Sequence, residues 1–190
     1  MTDMTATATL SLDLPDEIAT QTLAHQLAPL AIDRPQDAPA DAPPGPAAGG
    51  RIHLRGDLGA GKTTLVRALL RAAGITGRIK SPSYALLESY KISNLYFYHL
   101  DFYRFSDPRE WLDAGLRDIV RHDALVLIEW PERAQGLLPP PDLDVELVYA
   151  GEGRRAQLTA FSARGQAWLT ALNTPDAASP SPRKPPPGGA

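Results

Sequence analysis

The stretch that decides the fold reads Gly56-Asp57-Leu58-Gly59-Ala60-Gly61-Lys62-Thr63-Thr64. It fits the phosphate-loop pattern G-x-x-x-x-G-K-[ST] at every fixed position. Glycines in this pattern let backbone N–H groups turn inward around a triphosphate, and the following helix points its positive end at the anion. Lys62 would reach the outer phosphates, and the Thr63 hydroxyl would ligate Mg²⁺. The stretch therefore predicts a nucleoside triphosphate site in which residues 58–64 contact the ligand.

The flanking sequence supplies the context that a phosphate loop requires, which is a buried strand before it and a helix after it. Residues 51–55 are apolar at alternate positions, which predicts the strand. Residues 62–73 are rich in helix-forming Leu, Ala and Arg, and Gly74 is expected to end the helix. The apolar stripe of this helix consists of Leu65, Val66, Leu69 and Leu70. A glycine-rich turn that binds nothing is the weaker interpretation.

Composition excludes several classes of protein. The 190 residues contain no cysteine, which excludes disulfide scaffolds, thiolate metal sites and cysteine nucleophiles. No apolar run approaches the roughly 20 residues of a membrane span, and the N-terminus lacks the pattern of a secretory signal. We therefore expect a cytoplasmic protein. Its net charge of -3 does not favour nucleic-acid binding by the chain as a whole.

Two proline-rich segments are expected to lie outside the folded core. Six prolines fall between Pro29 and Gly50, and six more follow Thr174. Such a composition cannot bury enough apolar surface to offset the entropy that is lost on ordering. We predict a single phosphate-loop domain over residues 8–172, with an inserted loop at residues 31–50 and a disordered tail at residues 173–190.

The remaining segments alternate between strand and helix signals. Further strands are predicted at residues 8–14 (an edge strand), 84–91, 95–101, 124–130, 143–149 and 155–161. Further helices are predicted from Glu17, over residues 109–120 with an interruption at Gly115, and over residues 165–172. Ser93-Asn94 is the expected hairpin turn. The alternation predicts an α/β fold, a P-loop NTPase-like three-layer α/β/α sandwich with a mixed central sheet.

Two acidic residues close predicted strands, at the edge where ligands collect in open α/β sheets. Glu129 follows the apolar run of residues 125–128, a position from which a carboxylate holds Mg²⁺ directly or through water. Asp101 closes the second strand of the hairpin and would assist the metal or orient a water molecule. The alternatives are a strand-end cap for Glu129 and an ion pair with Arg104 for Asp101, and we favour the functional role for both.

Two further side chains are weighed as site residues. Ser83 lies in Ser81-Pro82-Ser83-Tyr84, a region where many phosphate-loop proteins sense the terminal phosphate through a hydroxyl. A Ser-Pro turn is also an ordinary chain reversal, and from the residues alone that interpretation is preferred. His99 lies on an aromatic strand and is interpreted as a hydrogen-bonded structural group rather than as a base.

Several short motifs together resemble the TsaE (YjeE) family, bacterial ATPases of the tRNA threonylcarbamoyladenosine pathway. The most specific are His99-Leu100-Asp101-Phe102-Tyr103-Arg104 and Ile128-Glu129-Trp130-Pro131, which follow the phosphate loop in the family's order. Supporting motifs are Leu14-Pro15-Asp16-Glu17, Lys80-Ser81-Pro82-Ser83-Tyr84, Asp107-Pro108-Arg109-Glu110, Gly115-Leu116-Arg117-Asp118 and Gly153-Arg154. The resemblance covers about residues 11–161, apart from the proline-rich insertion.

The resemblance implies a small ATPase that binds ATP and Mg²⁺. By motif match, Lys62, Asp101 and Glu129 would be the catalytic residues, and Thr63 would join Glu129 and Asp101 in holding the metal. The loop residues 58–64 would hold the phosphates.

Three residues outside the loop would add contacts to the nucleotide by the same resemblance. They are Glu17, Ser83 and Arg154. The family usually has threonine in place of Ser83, so this chain keeps the hydroxyl and loses a methyl group.

The resemblance also implies protein partners. These are a threonylcarbamoyltransferase subunit (TsaD-like) and its inactive paralogue (TsaB-like), which transfer a threonylcarbamoyl group to the adenosine next to the tRNA anticodon. The ATPase would not form that bond and would meet tRNA only indirectly. Its hydrolysis would reset the complex between catalytic cycles and would be weak without the partners.

A small-molecule or nucleoside kinase is the main alternative, because such kinases share the phosphate loop. They usually carry an arginine-rich lid, whereas the arginines between residues 104 and 121 are better explained as a solvated helical face. A GTP switch normally carries Asn-Lys-x-Asp, which is absent. Intact Lys62, Thr63 and Glu129 argue against a module that binds nucleotide without hydrolysing it.

Overall fold

The computed structural model describes residues 6–32, 48–82, 84–113, 116–119, 124–134 and 136–174. The strands are β1 (Ala8–Leu14), β2 (Gly50–Arg55), β3 (Leu87–Ile92), β4 (Leu95–Asp101), β5 (Ala124–Glu129), β6 (Leu143–Ala150) and β7 (Gly153–Ala160). The helices are α1 (Glu17–Ile32), α2 (Lys62–Ala72), α3 (Glu110–Asp113) and α4 (Ala163–Leu172), with 3-10 turns at Leu116–Ile119 and Pro131–Ala134. None of the helices in these residues has the length and apolar character needed to span a membrane.

The strands form one mixed sheet in the order β1-β7-β6-β2-β5-β4-β3. Its four central strands, β6, β2, β5 and β4, run parallel to one another. Antiparallel pairing adds β3 at one edge, and β7 followed by β1 at the other. The predicted hairpin at Ser93-Asn94, the closing β6–β7 pair and the edge position of β1 are confirmed. The predicted α/β sandwich with a mixed sheet is confirmed with them.

The apolar run before Glu129 forms the central strand β5, which lies between β2 and β4. All six residues of β5 are buried. Leu125 and Leu127 pack into the core beneath the long helices, whereas Val126 and Ile128 pack on the opposite face of the sheet. Burial on both faces explains why this run is uniformly apolar instead of alternating. The strand therefore delivers Glu129 to the middle of the sheet's carboxyl edge.

The two faces of the sheet are covered unequally. α1, α2 and α4 share one large core with the sheet, and the predicted apolar stripe of α2 is buried in it. Over β4 and β5, the opposite face is covered by short helical segments and aromatic side chains. Phe102 stacks on Phe105 with ring centroids 4.5 Å apart and tilts against Trp111 at 5.7 Å. The second outer layer of the sandwich is therefore thin.

The helix predicted over residues 109–120, with an interruption at Gly115, is shorter and less regular than predicted on both sides of that residue. This part of the described chain contains only α3 and the 3-10 turn Leu116–Ile119, and Gly115 lies outside the described residues. The helix does start near the predicted place, because Glu110 Oε1 accepts hydrogen bonds from the backbone N–H groups that precede α3. Trp111 and Leu116 are both buried in the thin layer. Packing of these two side chains, and not a helical repeat, sets the path of the segment.

Three predicted element starts shift by two or three residues. The strand expected from Arg155 begins at Gly153, which already pairs with Ala150. The strand expected from Tyr84 begins at Leu87, because Leu86 has a positive φ of 68° and its N–H still donates to the Pro82 carbonyl across a turn. The last helix begins at Ala163 because Ser162 caps it, accepting a hydrogen bond from the backbone N–H of Gly165.

The insertion between α1 and β2 is shorter than predicted at both ends. α1 continues through Ile32 and β2 starts at Gly50, so residues 31, 32 and 50 belong to regular elements, and residues 33–47 lie outside the described residues. The two ends of the insertion meet, since the backbone N–H of Gly49 donates to the Ala31 carbonyl over 2.8 Å. This junction precedes β2, at the opposite end of the strand from the phosphate loop.

We predict that the insertion contributes little to stability. Replacing residues 33–47 by a four-residue Gly/Ser linker should leave the unfolding free energy unchanged or raise it by about 1 kcal/mol, because a shorter loop costs less closure entropy. Urea denaturation of the shortened and full chains measures this difference. A loss of about 2 kcal/mol or more would show that the segment packs on the core.

A buried histidine lies on the central strand β2. His53 is 4% exposed, and its Nε2 has no hydrogen-bond partner among the described residues. Burial, together with the positive charges of Arg55 and Arg51, lowers the pKa of His53 from 6.5 to about 3. Its cross-strand neighbour Asp144 is engaged by Arg55 Nε at 2.8 Å. His53 is therefore neutral in the folded protein at mildly acidic pH.

We predict that His53 makes the protein acid-sensitive. Below about pH 6.5 the unfolded chain protonates this histidine, whereas the folded chain does not until about pH 3, so stability falls as pH drops through that window. The slope from this one group is at most about 1.4 kcal/mol per pH unit. In His53→Leu the slope should be shallower, as measured by urea denaturation at several pH values between 7.5 and 4.5. Parallel curves for the two proteins would contradict the assignment.

Candidate active site

The phosphate loop joins the end of β2 to the start of α2. Gly56 opens the loop with a φ of +125°, and a Cβ at this position would lie 2.2 Å from the Leu147 carbonyl oxygen of β6. Only glycine therefore allows the loop to turn so close to the sheet. Gly61 precedes α2, and no side chain in the described part of the chain caps this helix. The first backbone N–H groups of α2 are thus available to an anion.

Lys62 lies along the loop with its ammonium group over the loop's first residues. Its Nζ donates to the carbonyl oxygens of Gly56 and Asp57 at 2.6 and 2.8 Å. The same atom lies 3.9 Å above the centre of the Trp130 ring. Burial lowers the pKa of Lys62, and nearby carboxylates, first among them Glu129, oppose that shift. The positive charge of Lys62 itself therefore lies in the same cavity as the carboxyl groups of Glu129 and Asp101.

Glu129 is buried and accepts hydrogen bonds from two elements. The Thr63 hydroxyl of α2 lies 2.9 Å from both carboxylate oxygens, and His99 Nε2 of β4 lies 2.8 Å from Oε1. The carboxylate is 2% exposed, so these partners offset the cost of its burial. The structure therefore brings together Lys62, Thr63 and Glu129, the three residues that the loop and strand patterns predicted as a unit.

His99 lies beside the predicted acids. It is fully buried, and it shares a face of β4 with Asp101 because the two are separated by one residue. Its role as a hydrogen-bonded group fits the sequence interpretation, and its partner is the predicted metal-binding carboxylate. The sequence contains a signal for this contact. Side chains alternate between the two faces of a strand, so a residue two positions before Asp101 faces the same side of the sheet.

Asp101 occupies the position next to Glu129 in the neighbouring strand. The two residues are paired in the β4–β5 register, and Asp101 Oδ1 accepts a hydrogen bond from the backbone N–H of Tyr103 at 2.9 Å. Both line a cavity of about 210 Å³ with Lys62 and Thr63. The carboxyl ends of the two parallel strands thus present their acids to one space.

A second cavity of about 190 Å³ lies on the other side of the loop. Glu17 from the first turn of α1 and Arg154 from the start of β7 both line it, together with Gly59 and Thr64. Arg154 donates to the Gly59 carbonyl over 3.3 Å. The phosphate loop therefore borders two cavities. One is lined by Asp101 and Glu129, and the other by Arg154 and the acidic residues Asp16, Glu17 and Glu152. Ser83, the remaining predicted contact, lies outside the described residues.

Comparison with known proteins places the chain in a family. Residues 14–157 match the family profile described as threonylcarbamoyl adenosine biosynthesis protein TsaE. The chain belongs to the TsaE family. The resemblance stated from the sequence motifs is thereby confirmed, as is a role in tRNA threonylcarbamoyladenosine biosynthesis.

Individual TsaE proteins support the same assignment. The tRNA threonylcarbamoyladenosine biosynthesis protein TsaE of Haemophilus influenzae is 43% identical over 122 residues, which cover 64% of this chain and 77% of that protein. The TsaE protein of a Nostoc species is 42% identical over 120 residues, covering 60% of this chain and 73% of that protein. The fold is similar to the crystal structure of YdiB from Bacillus subtilis, with a TM-score of 0.66 and 26% identity over 87% of this chain and 94% of that one.

The cavity with Asp101 and Glu129 offers donor atoms of one chemical type. Thr63, Asp101 and Glu129 offer only oxygen ligands, which Mg²⁺ prefers. Within the described residues no group of three or more His, Cys, Asp or Glu side chains could hold a metal. By themselves, the described residues therefore do not form a complete metal site.

Two aromatic residues at the TsaE site were not assigned a role from the sequence. Trp130, directly after Glu129, has a positive φ of 58° and packs against the Tyr103 ring with centroids 5.1 Å apart. Tyr149, at the end of β6, reaches the loop and donates to the Leu58 carbonyl over 3.0 Å. Trp130 is part of a motif on which the family resemblance rests. No local sequence pattern predicts the contact of Tyr149 with the loop, because that contact depends on β6 lying beside β2 in the sheet.

Proposed function

We propose that this chain is the Mg²⁺-dependent, ATP-hydrolysing subunit in the biosynthesis of tRNA threonylcarbamoyladenosine. The observation that carries the proposal is the meeting of Lys62, Thr63 and Glu129 in one cavity at the uncapped N-terminus of α2. A cation, a hydroxyl and a buried carboxylate around a phosphate loop are the groups that bind a triphosphate with its metal. Membership of the TsaE family supplies the pathway.

ATP binding would use both cavities. The loop N–H groups and Lys62 would hold the phosphates, since residues 58–64 lie between the cavities. The adenosine would enter the cavity lined by Glu17 and Arg154, whose guanidinium group already lies beside the loop. Ser83 would contribute its hydroxyl to the terminal phosphate.

The cavity lined by Asp101 and Glu129 would supply the catalytic groups. Thr63, Glu129 and Asp101 would hold Mg²⁺, and Mg²⁺ would neutralise phosphate charge during transfer to water. Asp101 would also orient the attacking water, because its carboxylate lies in the register position next to Glu129. His99 contacts Glu129 from the protein side at 2.8 Å and would help to orient the carboxylate.

The hydrolysis would serve other proteins. We propose that a threonylcarbamoyltransferase subunit (TsaD-like) and its inactive paralogue (TsaB-like) form the bond to tRNA, and that ATP hydrolysis by this chain resets their complex. Residues 8–172 would form a single ATPase domain, and residues 173–190 would be a tail outside it. The protein would act in the cytoplasm. The tRNA would be met through the partners and not by this chain directly.

We predict that Glu129→Gln lowers Mg²⁺-dependent ATP turnover on the order of 100-fold while the protein stays folded, because the amide keeps the volume but loses the charge. Lys62→Ala should abolish turnover and weaken ATP binding. Steady-state phosphate release and calorimetric ATP titration measure both effects. Glu146→Gln is the matched control and should behave as the wild type, because Glu146 is an exposed carboxylate on β6, which β2 separates from β5. Wild-type turnover in Glu129→Gln would refute the metal role.

We further predict that turnover is slow in the isolated chain and rises when both partners are added, because hydrolysis is proposed to serve their cycle. The measurement is phosphate release with the TsaD-like and TsaB-like proteins added singly and together. A parallel reaction supplied with candidate metabolites as phosphoryl acceptors tests the kinase alternative, since chromatography would then detect a phosphorylated metabolite in place of free phosphate. Full activity alone, with no response to the partners, would contradict the pathway role.

A further inference from the structure

Side-chain donors bind the backbone carbonyl oxygens of the phosphate loop. Four consecutive carbonyls accept such bonds. Those of Gly56 and Asp57 accept from Lys62, that of Leu58 accepts from Tyr149 Oη, and that of Gly59 accepts from Arg154. Lys62 belongs to the loop motif itself, but Tyr149 and Arg154 come from the β6–β7 hairpin.

Tyr149 and Arg154 act from one rigid platform. They are directly opposite each other in the antiparallel β6–β7 register, so their side chains project from the same face. The Arg154 guanidinium carbon lies 4.0 Å from the centre of the Tyr149 ring, a stacking distance at which each side chain limits the motion of the other. The hairpin therefore presents two adjacent donors to two adjacent loop carbonyls.

The contact from Tyr149 controls the direction of a backbone N–H group. The Leu58 carbonyl and the Gly59 N–H belong to one planar trans peptide, in which the two groups point in opposite directions. Holding the carbonyl toward Tyr149 therefore aims the Gly59 N–H away from the hairpin. The approach is close, because a Cβ on Gly59 would lie 3.0 Å from Tyr149 Oη.

We propose that Tyr149 is a positioning residue that, together with Arg154, preorganises the phosphate loop for a polyphosphate. The inference rests on the proposed nucleotide-binding function and adds a residue to it. The hydrogen bond from Tyr149 selects in advance the peptide orientation that presents the Gly59 N–H to phosphate oxygens, so less ordering is left to occur on binding. Tyr149 itself touches the loop and not the ligand.

The inference is tested by separating the polyphosphate from the nucleoside. Tyr149→Phe removes only the hydroxyl, and the intact chain is titrated calorimetrically with MgATP and, separately, with inorganic tripolyphosphate and Mg²⁺. Both ligands should bind about two- to fivefold more weakly, as expected for one partly exposed hydrogen bond. Tyr96→Phe is the matched control, because the Tyr96 hydroxyl also takes part in a hydrogen bond, which it accepts from Lys91 Nζ on the edge hairpin. It should bind both ligands as the wild type does.

Hydrogen exchange gives a second readout that does not depend on a ligand. In Tyr149→Phe the amides of the loop residues 57–60 should exchange faster than in the wild type, while those of β5 are unchanged.

The outcomes separate the possible roles of Tyr149. Equal affinity of Tyr149→Phe and wild type for both ligands would overturn the inference. Weaker binding of MgATP alone would also overturn it, because the hairpin would then act on the nucleoside and not on the loop. If the wild type binds neither ligand, the proposed function fails, and the role of Tyr149 fails with it.

Discussion

A buried carboxylate is stable in a protein only where donors meet it, and Glu129 is met by Thr63 from the first turn of α2 and by His99 from β4. These bonds connect three elements that are far apart in sequence. They bring the helix that follows the phosphate loop against the carboxyl edge of the two strands carrying the acids. The loop, the helix N-terminus and Asp101 are consequently arranged around the same residue, which is why one carboxylate organises the whole site.

The sheet explains how so small a chain gathers these groups. Its parallel strands β2, β4 and β5 end on one edge, where their last residues give way to the loop, Asp101 and Glu129. The antiparallel β6–β7 hairpin beside β2 then reaches the loop from the other side. The antiparallel pairing of β6 with β7 therefore matters for the site. It places the tight turn between these two strands beside the phosphate loop.

Sequence reasoning worked where one local signal decided the structure. The glycines and Lys62 predicted the loop, the apolar run before Glu129 predicted β5, and Ser93-Asn94 predicted the hairpin. It succeeded only in part over residues 109–120, where short helical turns flank the predicted interruption at Gly115, and where Trp111 and Leu116 are buried in the thin layer. The contact of Tyr149 with the loop was not predictable, because it depends on which strands are neighbours. The site roles assigned from motifs remain predictions, even where the structure brings those residues together.

The hydrogen bond between Ala31 and Gly49 closes the base of the insertion at the end of β2 farthest from the loop. A strand of this length spans about 20 Å, so the two ends of the molecule are chemically independent. The insertion is thus a natural attachment point for a fluorophore, a crosslinker or a surface tether. A probe joined there would lie away from the proposed nucleotide site and from the turn of the β6–β7 hairpin, so that it could report on events at that end without altering it.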